Sequence, residues 1–434
     1  MGVRDSFQNT FSCYLEDASR QNATQLMASK SMDSAVSFSE STSRELVPQY
    51  SIQRILRPLY QKGEPQRPDI GDHPDFKHLL GTDLMVKCPI TTLFMDIESS
   101  TRLSLLYPLE DVYRIKNAFI RVAMEIVKSF NGHVHRIMGD AVMAYFGGST
   151  VAPETGIIDG LNCASVLCYF VEQSVVPKLN SMGYKEPFGI RVGVDFGKEA
   201  DVLWRSYGYP GMEEVTATSF FVDVASKLQH AAGRNQIMIG ESIRSFIDFP
   251  DELLSVKSIT SNGNKIPIPY LQPNHTDARG NPINYKQYEL NWNSYLKHSP
   301  LAQFDPTYQK NADGIRISAD IFNERGGQFE GTYSSTSRFL PKGKSIKFSM
   351  KLPYMPMLPY TIKFKVENHG VDARTKGGEM FGSHVTEKTV TTIKEHDNIS
   401  HWEETAYRGL HYMIIEVHTH LGLSHRTQFG VYIE

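Results

Sequence analysis

Between residues 86 and 250 the apolar positions change period repeatedly, and each change marks a predicted element. Ile90 to Met95 is a continuous β-prone run that stops at Asp96. Ile115, Phe119, Val122 and Ile126 then recur at helical spacing until Asn131-Gly132 breaks the pattern. Val134 to Ile137 and Val142 to Phe146 are two further β-prone runs, joined by Met138-Gly139-Asp140-Ala141, which reads as the turn of a hairpin. A helix, a strand over Gly189 to Val194, a helix over Val222 to Ala232 and a last apolar run from Gln236 to Gly240 follow. The order β-α-β-β-α-β predicts a ferredoxin-like α+β domain.

The flanks have a different texture. Residues 1–85 are polar and rich in Ser, Gln and Asp, with one predicted helix from Tyr50 to Tyr60, and read as an N-terminal arm rather than a core. Residues 251–300 are turn-rich and read as a linker with a strand or two. From 301 to 434 the runs Ser345 to Met350, Tyr360 to Val366 and His411 to His418 predict an all-β, sandwich-like domain. The expected organisation is thus an arm (1–85), an α+β domain (86–250), a linker (251–300) and a β-rich domain (301–434).

A chain of 434 residues is longer than one hydrophobic core usually serves, which agrees with two domains. Its 45 Lys and Arg nearly balance 48 Asp and Glu, and no long basic run is present, so nucleic acid is not an expected partner. Cys13, Cys88, Cys163 and Cys168 show no C-x-x-C spacing and are expected to be reduced and structural. No apolar run approaches the roughly 20 residues that cross a bilayer. No membrane association and a cytoplasmic location are therefore expected.

Candidate chemistry concentrates on Asp96 and Asp140, each at the exit of a β-prone run beside small residues. Phosphoryl transfer needs divalent metal held by carboxylates from neighbouring strands, and this pair is suited to it. Aspartate is also an ordinary turn residue, so the pair alone does not decide.

Four segments add context. Thr92-Leu-Phe-Met-Asp-Ile-Glu-Ser-Ser-Thr101 resembles the F-x-D-I-x-x-x-T signature of class III nucleotide cyclases, and His135 to Phe146 resembles their K-x-x-G-D-x-x-x-A-x-F hairpin. Gly189 to Val194 resembles their R-x-G-[IV] strand, and Phe221 to Gln229 their V-N-x-A-[AS]-R-L-Q helix. The resemblance implies two Mg²⁺ or Mn²⁺ ions on Asp96, Asp140 and the Ile97 carbonyl. It further implies phosphate contacts from the amides of Glu98 to Thr101, and a substrate-binding role for Phe94 and Thr101. Active sites in this family are shared across a homodimer, so Asp223 and Lys227 would complete the partner's site. They stand where the family has Asn and Arg, and Lys lacks the bidentate fork; Lys198 or Arg234 is a candidate helper.

The positions that select the base in this family carry Arg136 and Thr216 here. Arg only donates, which suits the acceptor-rich edge of a pyrimidine. UTP is the leading expected substrate, giving cyclic UMP, with CTP the alternative, then ATP, then a non-catalytic nucleotide-binding regulator. A pyrimidine leaves room for an aromatic filler, for which Tyr50 or Tyr60 is a candidate. His133 and His135 offer an incomplete metal set and are expected to be solvated strand residues.

His401 to Tyr412 resembles the W-x-E-T-x-Y-x-G-x-H motif of the sensor domain of bacterial defence cyclases. Together with the cyclase motifs it resembles the uridylate and cytidylate cyclases of Pycsar anti-phage systems. That resemblance implies a cyclic nucleotide that activates a separate effector. A plain β-sandwich packing Trp402, Tyr407 and His411 in its core is the alternative.

Overall fold

A computed structural model describes residues 2–30, 50–261, 263–305, 308, 315–352 and 356–434. Its helices in the first 300 residues are α1 (Val3–Lys30), α2 (Ser51–Leu59), α3 (Ser100–Leu106), α4 (Leu109–Ser129), α5 (Pro153–Phe170), α6 (Val176–Ser181), α7 (Phe220–Ala231), α8 (Glu241–Phe246) and α9 (Trp292–Leu296). The strands over the same span are β1 (Met85–Lys87), β2 (Ile90–Ile97), β3 (His133–Met138), β4 (Ala141–Phe146), β5 (Ile190–Gly197), β6 (Leu203–Tyr209), β7 (Met212–Thr218), β8 (Gln236–Gly240), β9 (Leu254–Val256), β10 (Ser258–Ser261), β11 (Asn264–Pro267) and β12 (Gln287–Leu290).

The main sheet runs β3-β4-β2-β5-β8-β12-β9. In its first four strands each neighbouring pair is antiparallel, in the ferredoxin-like order that the sequence predicted, and β8 joins parallel to β5. Alternation along the strands sorts the side chains. Leu93, Met95, Val142, Ala144, Val192 and Val194 face α4 and α5, whereas Met143 and Tyr145 face the small sheet β1-β6-β7. Stacking of Phe76 on Trp204, with centroids 4.0 Å apart, holds that small sheet down. Helix α7 packs over β5 on the same side. A Cβ on Gly193 would lie 2.2 Å from the Ala225 carbonyl oxygen, so glycine is what lets the helix come so close.

The N-terminal segment is not a solvated arm. Phe7, Phe11, Tyr14 and Leu15 line one face of α1 and are buried, and Ile52, Leu56 and Tyr60 of α2 join the same core. Phe7 and Phe11 meet Phe170 edge-on at 5.5 and 6.0 Å. Each such side chain taken out of water contributes roughly 1.5–3 kcal/mol. A local defect ties α1 down further. Pro177 has no N–H to give the Gln173 carbonyl, a π turn follows α5 at Val171–Val175, and Gln8 Nε2 donates to that carbonyl at 2.9 Å.

Residues 251–300 also do more than connect. β12 pairs with β8 and with β9, widening the main sheet, while Trp292, Tyr295 and Leu296 of α9 enter its core.

Beyond residue 315 come β13 (Arg316–Phe322), β14 (Phe329–Tyr333), β15 (Phe339–Leu340), β16 (Ser345–Lys351), β17 (Tyr360–Glu367), α10 (Gly370–Lys376), β18 (His384–Val390), β19 (Ser400–Glu404), β20 (Gly409–Thr419) and β21 (Gly422–Ile433). They form a four-stranded sheet, β14-β13-β16-β19, over a five-stranded one, β15-β21-β20-β17-β18, around Ile321, Phe348, Ile362, Ile415 and Phe429. The outer face of the second sheet is covered too: Phe339, Leu410, Tyr412, Ile414 and Tyr432 belong to the core that α5 and α9 share. This explains why the run after Gly409 does not alternate, since β20 is buried on both faces from Gly409 to Val417. Asn162 of α5 stitches the two parts, donating to the Thr336 carbonyl and accepting from Tyr295 Oη, both at 2.9 Å.

Cys88, Cys163 and Cys168 are buried free thiols, but Cys13 is free and exposed on α1, so a structural role does not extend to it. Among the described residues no helix is long and apolar enough to cross a membrane.

Candidate active site

Asp96 is the penultimate residue of β2, directly opposite Arg191 on β5, whose guanidinium lies 2.5 Å from Asp96 Oδ2. Gln229 Nε2 of α7 reaches the same oxygen at 3.4 Å. Asp140 occupies the two-residue turn between β3 and β4, where Gly139 (φ 68°) takes the left-handed position that such a hairpin demands. Extending the register Met95↔Val142 by one residue sets Asp96 opposite Ala141, so the two aspartates leave adjacent strands at one end of the sheet.

Asp140 Oδ2 is buried and, among the described residues, has no hydrogen-bond partner; Lys116 Nζ stands 3.7 Å from it. A buried carboxylate oxygen without a hydrogen bond is costly, and two all-oxygen side chains at one end of the sheet fit a hard divalent cation. Ile97 ends β2 immediately beyond Asp96. Phe94, on the Asp96 face, packs part-buried against the cluster around Trp204.

The turn after β2 corrects one expectation. The Glu98 amide is donated to the Gly189 carbonyl at 2.9 Å, which removes it from the expected phosphate-binding set and leaves the amides of Ser99 to Thr101 as its candidates. Ser99 (φ 58°) bends the chain into α3, in whose first turn Thr101 is exposed. Arg234 is engaged with Glu98 at 2.8 Å, and Lys198 follows the end of β5 remote from Asp96, so neither stands ready as the helper cation in its own chain.

Helix α7 starts where Ser219 caps it, its hydroxyl accepting from the Phe221 amide at 3.2 Å. Ala225 and Gln229 face Gly193 of the sheet, which turns Asp223 and Lys227 to the opposite side. Asp223 is exposed there, and Lys227 Nζ contacts His275 Nε2. The structure therefore does not bring these two residues to the aspartates of the same chain.

Arg136 and Thr216 do come together, through groups that the sequence reading missed. A bulge at His135 resets the pleat of β3, so Arg136 pairs with Met143 and shares the face of Tyr145 instead of following Val134 into the helical core. There Arg136 Nε donates to Glu214 Oε2 at 2.9 Å, and two residues along β7 Thr216 Oγ1 lies 3.3 Å from Tyr145 Oη. Glu214 sits on the hairpin β6–β7. The signal that could have found it is Pro210-Gly211 between two alternating runs, Gly211 having φ 85°.

Two other expectations change. Tyr50 caps α2 with φ 64°, and Ile52 beside it donates to Glu125 of α4, so Tyr50 lies on the helical side of the sheet, away from Arg136; Tyr60 is buried against Phe130. His133 and His135 are buried rather than solvated, both bonded to the Gly71 carbonyl at 2.8 and 3.0 Å, and burial holds both below the usual imidazole range.

With this geometry in hand, the comparisons with known proteins are specific. Residues 290–434 match the family described as the Adenylyl/Guanylyl and SMODS C-terminal sensor domain. A cytidylate cyclase of Escherichia coli is 35% identical over 412 residues, 91% of this chain and 90% of the relative. A cytidylate cyclase of Staphylococcus aureus is 33% identical over 367 residues, 83% of this chain and 82% of the relative. Among solved structures, the adenylyl cyclase CyaB of P. aeruginosa is 17% identical with a TM-score of 0.39, covering 48% of this chain and 95% of that one. The guanylyl cyclase Cya2 is 16% identical with a TM-score of 0.35, covering 46% and 91%. Because the E. coli match runs along nine-tenths of both chains, the chain belongs to the Pycsar-type class III nucleotide cyclases, which join a cyclase to a C-terminal sensor domain.

Proposed function

We propose that this nucleotide cyclase acts on CTP, producing 3′,5′-cyclic CMP and pyrophosphate. The observation that carries the choice of base is the carboxylate of Glu214 beside the guanidinium of Arg136. Cytosine offers two acceptors, O2 and N3, and one amino donor; Arg136 donates to the former and Glu214 accepts from the latter. Uracil carries O4 where cytosine has the amino group and would set an acceptor against the carboxylate. Arg136 alone suits either pyrimidine, and UTP led only while no acceptor for the cytosine amino group could be placed; Glu214 is such an acceptor and reverses that order. The relatives named cytidylate cyclase support the same reading.

In this reading Asp96, Asp140 and the Ile97 carbonyl hold two Mg²⁺ or Mn²⁺ ions. Such ions, when bound, neutralise the triphosphate and lower the pKa of the ribose 3′-hydroxyl. The 3′-oxygen attacks the α-phosphorus, its proton passes to solvent, and the bond to the β-phosphate oxygen breaks. Amides of Ser99 to Thr101 hold phosphate oxygens, and Phe94 lines the nucleotide side. Asp223 and Lys227, facing outward from α7, serve a second copy: Asp223 accepts from the ribose and Lys227 places positive charge on the α-phosphate. The active form is accordingly a homodimer. The cyclic product is the messenger that switches a separate anti-phage effector, with the sensor domain gating its synthesis.

The test is steady-state kinetics with Mn²⁺ and each pyrimidine triphosphate. The proposal expects kcat/KM for CTP at least about tenfold above that for UTP, the worth of one lost polar pairing. An equal or inverted ratio overturns it.

A further inference from the structure

The two sheets of the C-terminal sandwich part to leave a cavity of about 320 Å³, walled by Phe348, Trp402, Tyr407 and Met413 among others. Of the titratable side chains on its wall, His411 is fully used by the fold. Its Nδ1 accepts from the His369 amide at 3.2 Å and its Nε2–H donates to the Tyr407 carbonyl at 2.7 Å, which fixes a neutral tautomer in a buried site.

A second group on the same wall is not closed in this way. His384, where β18 begins, points Nδ1 at the Gly382 carbonyl at 3.1 Å. A carbonyl only accepts, so Nδ1 carries the hydrogen and a neutral ring leaves Nε2 with a lone pair. That lone pair faces Glu403 Oε1 of β19 at 3.0 Å, itself an acceptor. His401 Nε2 approaches the same oxygen at 2.5 Å from two residues earlier on the same face of β19. The three ligand atoms lie within 4.8 Å of one another. Two acceptors that face each other at hydrogen-bond distance need a cation between them, either a proton or a metal.

We propose that His384, His401 and Glu403 form a binding site for a divalent cation of the zinc class, with its fourth position open to the cavity. Two imidazoles and one carboxylate are the donor set of an open three-ligand zinc site. The Nδ1–H bond of His384 to a backbone carbonyl is the outer contact that orients metal-bound histidines. His401 is held in place by stacking on Phe364, centroids 4.7 Å apart and planes 15° from parallel. A tetrahedral zinc would set its ligand atoms about 3.3 Å apart, a small opening of the present contacts. His384, with 47% of its side chain exposed, can swing to make it without repacking the core. The nitrogen donors separate this site from Asp96 and Asp140, whose oxygen ligands suit Mg²⁺ or Mn²⁺ instead.

The test uses the full chain carrying Asp96→Asn and Asp140→Asn, so that zinc cannot be counted at those aspartates. After chelator treatment it is titrated with Zn²⁺ by calorimetry, and its Co²⁺ form is read by visible absorption. The expected result is one equivalent of Zn²⁺ bound with a submicromolar Kd, a four-coordinate Co²⁺ spectrum, and binding weakened at least about tenfold to a hundredfold by His384→Ala or by Glu403→Gln. His384 is exposed enough for its variant to keep the parent's thermal midpoint, which is measured alongside. No binding at tens of micromolar Zn²⁺, or unchanged binding in either variant, overturns the site and leaves a proton as the bridging cation. Because the readout is binding to the sensor domain, it is independent of which nucleotide is cyclised.

Discussion

Glu214 accepts a hydrogen bond from Arg136 across 2.9 Å, joining a hairpin that lies outside the main sheet to the strand that leads into Asp140. Both side chains are about two-fifths exposed, and an ion pair of that kind contributes only about 0–1 kcal/mol to stability. The pair is therefore better placed to read a ligand than to hold the fold.

Replacing Glu214 by Gln removes the fixed acceptor, because a rotated amide presents either an oxygen or an NH₂ group. The expected outcome is a fall of about tenfold in kcat/KM for CTP, with UTP unchanged or improved. Kinetics with both substrates check it; an equal loss for both would mean that Glu214 only supports the hairpin.

Gly193→Ala places a methyl group 2.2 Å from the backbone of α7 at Ala225 and Gln229. Overpacking of this kind costs about 1–3 kcal/mol. The helix must shift, carrying Gln229 away from Asp96 and displacing Asp223 and Lys227. A lowered thermal midpoint together with a larger loss of kcat is expected, whereas full activity would show that the exact seating of α7 does not matter.

Where two levels of sequence signal agreed, the structure followed them. β2, the β3–β4 hairpin, β5 and α7 each had a clear hydrophobic period, and the hairpin had its turn residues Gly139-Asp140 as well, although β2 runs through Asp96 to Ile97. The helix predicted from Tyr50 to Tyr60 is α2, but its burial and the whole of α1 were missed because the average composition there is polar, although Phe7, Phe11, Tyr14 and Leu15 already stand at helical spacing. The face of Arg136 depended on a bulge at His135, which no periodicity announces. Glu214 escaped notice because only Trp204, Val215 and Ala217 of its exposed hairpin are buried.

Asp195 is buried on β5, accepting from Ser242 Oγ, Tyr285 Oη and the Phe196 amide, and burial raises its pKa to about 7. An unfolded aspartate titrates near about 4. Between those values the folded chain holds the extra proton, so this group's stability contribution is full below about pH 4 and is lost as pH rises toward 7. Buried His298 and His411, lowered to about 3 and about 4, act in the opposite sense below about pH 6.5. Comparison with Asp195→Asn isolates the first effect. The variant should gain stability relative to the parent between pH 5 and 8 in urea titrations, and a constant difference across that range would contradict the assignment.

Ending the chain at residue 300 strips Phe339, Leu410, Tyr412, Ile414 and Tyr432 from the core around α5 and α9. That fragment is expected to aggregate or to melt without a cooperative transition. A soluble fragment with a sharp calorimetric transition would show that the sensor half is dispensable for folding.

The most direct test of the account is to incubate the chain with an equimolar mixture of all four ribonucleoside triphosphates and Mn²⁺, and to identify the products by mass spectrometry beside Asp140→Ala. Cyclic CMP as the dominant product, lost in the variant, is the predicted result. Dominant cyclic UMP or a cyclic purine nucleotide would contradict the reading of Arg136 and Glu214, and a product that survives Asp140→Ala would contradict the placement of the metal site.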